Sequence, residues 1–167
     1  MKHLRKQIAG YLLTLILLMA GIVFPGSGEK VLASGGSMTV HFLDVGQGLS
    51  ILVQSEGQNL LYDGGPRSAS SYVVSYLQEQ NVSEIDYLIS SHYDEDHVSG
   101  LIGCLNAFQV DNVIGADYIH DSSLYGSFMD AVAAHGLEVQ HPAVGAEYTF
   151  GSGEFTSSFT KGNQQRE

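Results

Sequence analysis

The chain has 167 residues, with seven Lys and Arg against eighteen Asp and Glu, a formal net charge of −11 and a single cysteine. The length fits one domain, and one cysteine rules out an internal disulfide framework. The acidity argues against binding phosphate backbones unless metal ions or a partner intervene.

The chain opens on a basic head, Lys2, Arg5 and Lys6, and continues in an almost wholly apolar run over residues 8–24. Pro25 and Gly26 break that run, and Val31-Leu32-Ala33 before Ser34 is a small-residue cleavage pattern. Residues 1–33 therefore read as a secretory signal peptide, which makes the remainder secreted or extracellular, with no stable membrane insertion after cleavage. The alternative is a membrane anchor, because the apolar run sits at the short end for a spanning helix. After cleavage the only basic side chains are Arg67, Lys161 and Arg166, against seventeen acids.

Residues 34–37 form a linker rich in Gly and Ser. Residues 38–45 alternate enough, through Val40, Phe42 and Val45, to predict a strand. Gly46-Gln47-Gly48 is a tight turn, and residues 49–54 and 59–62 form a hairpin. Asp63-Gly64-Gly65-Pro66 ends that third strand. Residues 70–80 read as a helix with Val73, Val74 and Leu77 inward, residues 86–90 as a strand, and residues 97–108 as a helix with Leu101, Leu105 and Phe108 on one face. A strand is expected at 110–114, and a further short one at Tyr118-Ile119-His120. An amphipathic helix over 122–135 stops at Gly136, and a strand returns at 137–140. Strands alternating with helices imply an α/β layer arrangement. From Gly151 to the end the pattern fails, so residues 151–167 are expected to be an irregular tail.

The densest chemistry lies directly after the 86–90 strand. His92, Asp94, Asp96 and His97 fall within six positions, in Ser-Ser-His-Tyr-Asp-Glu-Asp-His. A strand end that delivers nitrogen and oxygen donors to one place is how a first-row divalent metal is held, zinc above all. The bland alternative is a solvated loop of charges and hydrogen-bonding histidines. Cys104, among Leu101, Ile102 and Leu105, reads as a small buried hydrophobe. His41 reads as a sheet histidine, and His135 suits the negative end of a helix. His120 and His141 are assigned ordinary histidine roles rather than metal ligation.

Phe42-Leu43-Asp44-Val45-Gly46-Gln47-Gly48, Leu60-Leu61-Tyr62-Asp63-Gly64-Gly65-Pro66 and Ser91-His92-Tyr93-Asp94-Glu95-Asp96-His97 together resemble the metallo-β-lactamase superfamily. They are most similar to its branch found as the C-terminal domain of DNA-internalisation competence proteins and as free-standing secreted hydrolases. The resemblance covers about residues 38–150, the N-terminal half of an αββα sandwich. It implies that His92 and Asp94 bind one metal ion and that Asp96 and His97 bind a second, with catalysis depending on Asp96. It also implies that Asp63 supports the site through hydrogen bonds, a role favoured over that of a simple turn Asp before two glycines. Asp44 is placed near the same rim, in a supporting or a purely turn-forming role. Where the family commonly has Asp after Gly-Gln-Gly this chain has Leu49, and it has Ser99 where Gly is common.

The resemblance further implies two divalent ions, zinc or, given the Asp94 carboxylate, manganese. The substrate is then a phosphodiester, nucleic acid included, or a small ester. Ligands that the family takes from a histidine-glycine segment and a Gly-Asp strand end do not occur in the sequence. The expectation is therefore a truncated domain, either an inactive fragment or one completed by self-association. A non-catalytic metal- or nucleic-acid-binding module is the alternative. An antibiotic-hydrolysing β-lactamase fits less well, because Asp94 stands where that group has His.

Overall fold

Residues 36–159 are described by a computed structural model. The signal-peptide or anchor reading of residues 1–33, the first half of the linker, and tail residues 160–167 lie outside the described residues. Strand β1 (Met38–Phe42) pairs antiparallel with β2 (Ile51–Ser55), which pairs antiparallel with β3 (Gln58–Tyr62). Glu56 and Gly57, at φ of 51° and 83°, make the two-residue turn between β2 and β3. Positive φ at both positions matches the twist of the flanking strands. From β3 onward the pairing is parallel, through β4 (Glu84–Ser90), β5 (Gln109–Gly115) and the short β6 (Val139–Gln140). The six strands lie in sequence order. Each parallel crossover carries a helix, as parallel neighbours require: α1 (Ser70–Glu79), α2 (Glu95–Ala107) and α3 (Ser123–Ala134).

One row of side chains explains where the helices sit. Leu52, Leu61, Leu88, Val113 and Val139 are cross-strand partners on one face, and all are buried. Against them pack Val73 and Leu77 of α1, Val98, Leu101, Cys104 and Leu105 of α2, and Phe128 and Val132 of α3. Each fully buried aliphatic side chain stabilises the fold by about 1.5–3 kcal/mol. Helix α2 lies between α1 and α3. Its first turn therefore comes off β4 at the middle of the sheet, where the His-Asp loop is.

The opposite face is covered in part. Leu60, Ile89 and Ile114 form a second cluster with Phe150, from a hairpin of β7 (Glu147–Phe150) and β8 (Gly153–Thr156). Tyr148 and Phe155 stack at 4.9 Å, and Tyr87 of the sheet meets Phe155 edge-on at 5.1 Å. Between hairpin and sheet runs an apolar groove of about 760 Å³, while Val40 and Phe42 of β1 stay exposed.

Three expectations are corrected. The tail is not irregular from Gly151, because residues 153–156 form β8, whose Phe155 finds its apolar partners on Tyr87 and Tyr148. Tyr118-Ile119-His120 makes no strand; it bends past the end of β5 and leaves Ile119 78% exposed. Helix α2 begins at Glu95, so Asp96 and His97 both belong to its first turn. Among the described residues, no helix is long and apolar enough to cross a membrane.

Candidate functional site

Three loops meet at the end of β4 because glycines let them. Gly64 N–H donates to His97 O at 2.7 Å, and Gly100 N–H donates to Gly65 O at 3.1 Å, so the turn after β3 is zipped to the start of α2. A Cβ on Gly100 would collide with the Gly64 carbonyl, and one on Gly48 with the Asp96 carbonyl. Leu49, where the family commonly has Asp, uses its backbone here: its carbonyl accepts from Gly65 N–H at 2.8 Å. The segments of the three sequence motifs are thus in backbone contact.

Asp63 is the hub of this arrangement. It is 0% exposed and holds a φ of 57°, a left-handed conformation that Asp tolerates better than most residues. Its Oδ1 accepts from Ser91 N–H at 2.8 Å, and its Oδ2 accepts from Ser91 Oγ–H at 2.7 Å. The same Oδ2 lies 2.8 Å from His97 Nδ1. Since a carboxylate only accepts, His97 donates through Nδ1–H, and in the neutral ring its Nε2 lone pair is free. Ser91 has given its only hydroxyl proton to Asp63, so toward His92 Nδ1, 2.7 Å away, it can only accept. In the neutral ring that leaves His92 Nε2 free as well. One buried carboxylate sets both imidazoles, the hydrogen-bonded support that metal-binding histidines commonly have.

The free nitrogens face carboxylates. His92 Nε2 lies 3.4 Å from Asp94 Oδ2, and His97 Nε2 lies 3.9 Å from Asp96 Oδ2. The two imidazole rings are 3.9 Å apart between centroids. Asp94 occupies the N-cap position of α2, yet its side chain makes no capping bond. Tyr93, between His92 and Asp94, points the other way. It is fully buried against Tyr118, Tyr125 and Phe128, and its hydroxyl donates to Ala116 O at 2.8 Å. Burial, followed by the neighbouring Tyr125, Tyr118 and Asp117, pushes its phenol well above the ordinary value. Burial and the Asp63 carboxylate likewise raise Tyr62, partly offset by the neighbouring Ser91 side chain.

Among the described residues, no three His, Cys, Asp or Glu side chains converge as a ready-made metal-binding group; the donors stand in pairs. The pairs do fit the chemistry. Two ligands held about 2.0–2.1 Å from one tetrahedral ion lie roughly 3.3 Å apart, close to the 3.4 Å of His92 with Asp94, while the 3.9 Å of His97 with Asp96 is wider.

The structure thus brings together His92, Asp94, Asp96, His97 and Asp63. Asp44 stands apart from their hydrogen bonds: it is exposed, and its Oδ1 accepts from Gly46 N–H at 3.3 Å in a local turn. Ser99 is buried in α2 and reaches Glu95 rather than the donors. His41 bonds Tyr76 through Nδ1, His135 bonds the Leu105 carbonyl, and His141 bonds the Gly115 carbonyl. His120, assigned no part in the site from the sequence, arrives beside it, with Nε2 3.4 Å from Asp94 Oδ1.

The sequence model of the metallo-beta-lactamase superfamily matches residues 43–159. The chain belongs to that superfamily. Its members are in general hydrolases that bind divalent metals, usually zinc. Among characterised proteins the chain is similar to "Competence protein ComA" of Neisseria gonorrhoeae, at 38% identity over 86 residues, which are 51% of this chain and 12% of that protein. It is also similar to "Recombination protein 2" of Haemophilus influenzae, at 38% identity over 74 residues, 41% of this chain and 9% of that one. The chain thus spans only about a tenth of the length of these relatives. Among solved structures, metallo-beta-lactamase SMB-1 bound to 2-mercaptoethanesulfonate superposes with a TM-score of 0.50 at 17% identity, over 66% of this chain and 46% of that one. That likeness shows the fold: this metallo-beta-lactamase-like chain corresponds to part of the full sandwich.

Proposed function

We propose that this metallo-beta-lactamase-like chain carries one wall of a metal-dependent hydrolytic centre that acts outside the cell on phosphodiesters, nucleic acid among them. The observation that carries the reading is the pair of imidazoles held by Asp63 and Ser91 with Nε2 free beside Asp94 and Asp96. His92 and Asp94 would hold one divalent ion, and Asp96 and His97 a second, with zinc as the ion or manganese for so carboxylate-rich a donor set. Such ions supply positive charge for a developing phosphoryl oxyanion and lower the pKa of water toward neutrality.

The chain's own residues do the positioning. Asp63 keeps His97 in one tautomer and, through Ser91, keeps His92 in one tautomer. Asp96 and His97, on the first turn of α2, share a rigid element with each other. Asp94 is 59% exposed and faces arriving substrate. The similarity to a competence protein and a recombination protein supports nucleic acid over an antibiotic as substrate. The acidic side chains around the site would repel such a substrate until cations neutralise them.

A second reading has one observation in its favour. Among the described residues the donors converge in pairs and not in threes, which suits a module that binds metal or nucleic acid without turnover, or one whose site is completed by self-association. Elemental analysis of the purified chain, followed by hydrolysis of bis(p-nitrophenyl) phosphate with added zinc or manganese, separates the two. Turnover that disappears in Asp96→Ala supports the enzyme. Bound metal without turnover supports the module, and no bound metal rejects the enzyme and a metal-binding module alike.

A further inference from the structure

The loop after β5 ends in a histidine whose surroundings repeat those of His92. His120 Nδ1 lies 2.8 Å from Ser122 Oγ, as His92 Nδ1 lies 2.7 Å from Ser91 Oγ. Both rings then turn Nε2 toward Asp94. His92 takes Oδ2 and His120 takes Oδ1, each at 3.4 Å. One carboxylate is therefore flanked by two imidazoles, each steadied from behind by a serine hydroxyl.

His120 is not a wandering surface group. Two residues before it, the Tyr118 hydroxyl accepts from Tyr93 N–H at 3.1 Å, and the two rings pack at 5.1 Å. The loop after β5 is thus bonded to the backbone of the residue between His92 and Asp94. On its other side, Ser122 caps α3, accepting from Tyr125 N–H at 3.2 Å. A hydroxyl oxygen with two lone pairs can accept from Tyr125 N–H and His120 Nδ1–H together, and in that tautomer Nε2 of His120 is unprotonated. Asp94 contributes the last sign. Aspartate at an N-cap ordinarily accepts a backbone N–H of the first turn, and here its carboxylate forgoes that bond and stays between the two rings.

We propose that His120 is a third protein donor to the ion held by His92 and Asp94. The proposal rests on the metal-centre reading above and adds to it a ligand from a different loop. As the side chains stand, the three donors adjoin pairwise without converging. In this proposal the Asp94 carboxylate, 59% exposed, turns to admit an ion between the two nitrogens. Three protein donors with a fourth position left to water or substrate is the usual form of a catalytic zinc site.

The test is a zinc and cobalt titration of the full chain against a competing chelator, with His120→Ala and His120→Gln beside the parent and His97→Ala as comparator. The expected result is two ions in the parent, with one of them weakened about tenfold or more in both His120 variants, since even outer partners of a ligand are worth that much. In His97→Ala the other ion is the one weakened, and in a His97→Ala/His120→Ala double variant both are. Histidine-selective nitrogen NMR of the parent, which needs no variant to fold, is expected to show the His120 Nε2 resonance move when zinc is added. Unchanged affinity in the folded His120 variants, or a His120 resonance that stays put while zinc binds, overturns the ligand and leaves the metal centre standing. A parent that takes up no ion at all overturns both.

Discussion

The buried Oδ2 of Asp63 lies 2.8 Å from Nδ1 of His97, joining the turn after β3 to the first turn of α2. The same carboxylate reaches His92 through Ser91, so one side chain governs both histidines. Replacing Asp63 with Ala would leave the Ser91 N–H, the Ser91 hydroxyl and the His97 N–H without their acceptor. The expected loss of stability is about 3–5 kcal/mol, since hydrogen bonds to a charged acceptor are worth about 1.5–3 kcal/mol each. Asp63→Asn keeps the shape and should cost less. Its metal affinity should still fall about ten- to a hundredfold. Urea unfolding without metal and chelator competition measure the two effects separately. A variant with parental metal affinity would remove Asp63 from the site.

Gly100 and Gly126 form a matched pair of helical glycines. Gly100→Ala drives a methyl group into the Gly64 carbonyl, whereas at Gly126 nothing lies within 4 Å of the added carbon. Gly100→Ala should therefore destabilise by about 1–3 kcal/mol or more. Gly126→Ala should be neutral or stabilise by up to about 1 kcal/mol through helix propensity. Thermal melts of both variants check this, and equal behaviour would contradict the close approach of the two backbones.

Tyr93 separates anchoring from chemistry. Tyr93→Phe loses one hydrogen bond and leaves Ala116 O without its donor, at a cost of about 1–3 kcal/mol. Tyr93→Ala should cost about 3–5 kcal/mol. If the two variants lose equal stability, the ring is not packed as described.

Burial pushes the Cys104 thiol from 9.0 up to about 12. The folded protein should therefore leave iodoacetamide unreacted at pH 8 and be alkylated only in denaturant. The sign of the pH effect follows from the same shift. A thiol whose pKa is raised by folding subtracts nothing below its unfolded value. It weakens the fold as pH climbs from about 9 toward 12, where only the unfolded chain ionises. The raised Tyr93 phenol acts in the same direction at still higher pH. Rapid native alkylation would show that Cys104 is accessible.

The helices, the parallel strands and the His92 to His97 loop were legible in the sequence because each is a local pattern. Three- and four-residue apolar spacing marked α1 to α3, and the donor cluster lies within one short stretch. The hydrogen bonding of Asp63 to the loop was foreseen only through the family resemblance, since an Asp before two glycines is also what a turn requires. His120 was not legible. Its approach to Asp94 depends on β5 lying beside β4 in the register that pairs Ser90 with Gly115, which sets the two following loops side by side across 26 residues of chain. Strand β8 was missed for a similar reason, because its one apolar anchor, Phe155, makes sense only against Tyr87 on a distant strand.

The alternation at His92-Tyr93-Asp94 has a consequence for how such a loop would capture an ion. With its middle ring sunk among three aromatic neighbours, the peptide on either side cannot swing outward without opening the interior. Much of the ordering that capture would otherwise demand is already complete when the polypeptide folds. Affinity at this place is then coupled to the solidity of the core beneath it, and a substitution at Phe128 or Tyr125 should be felt at the surface.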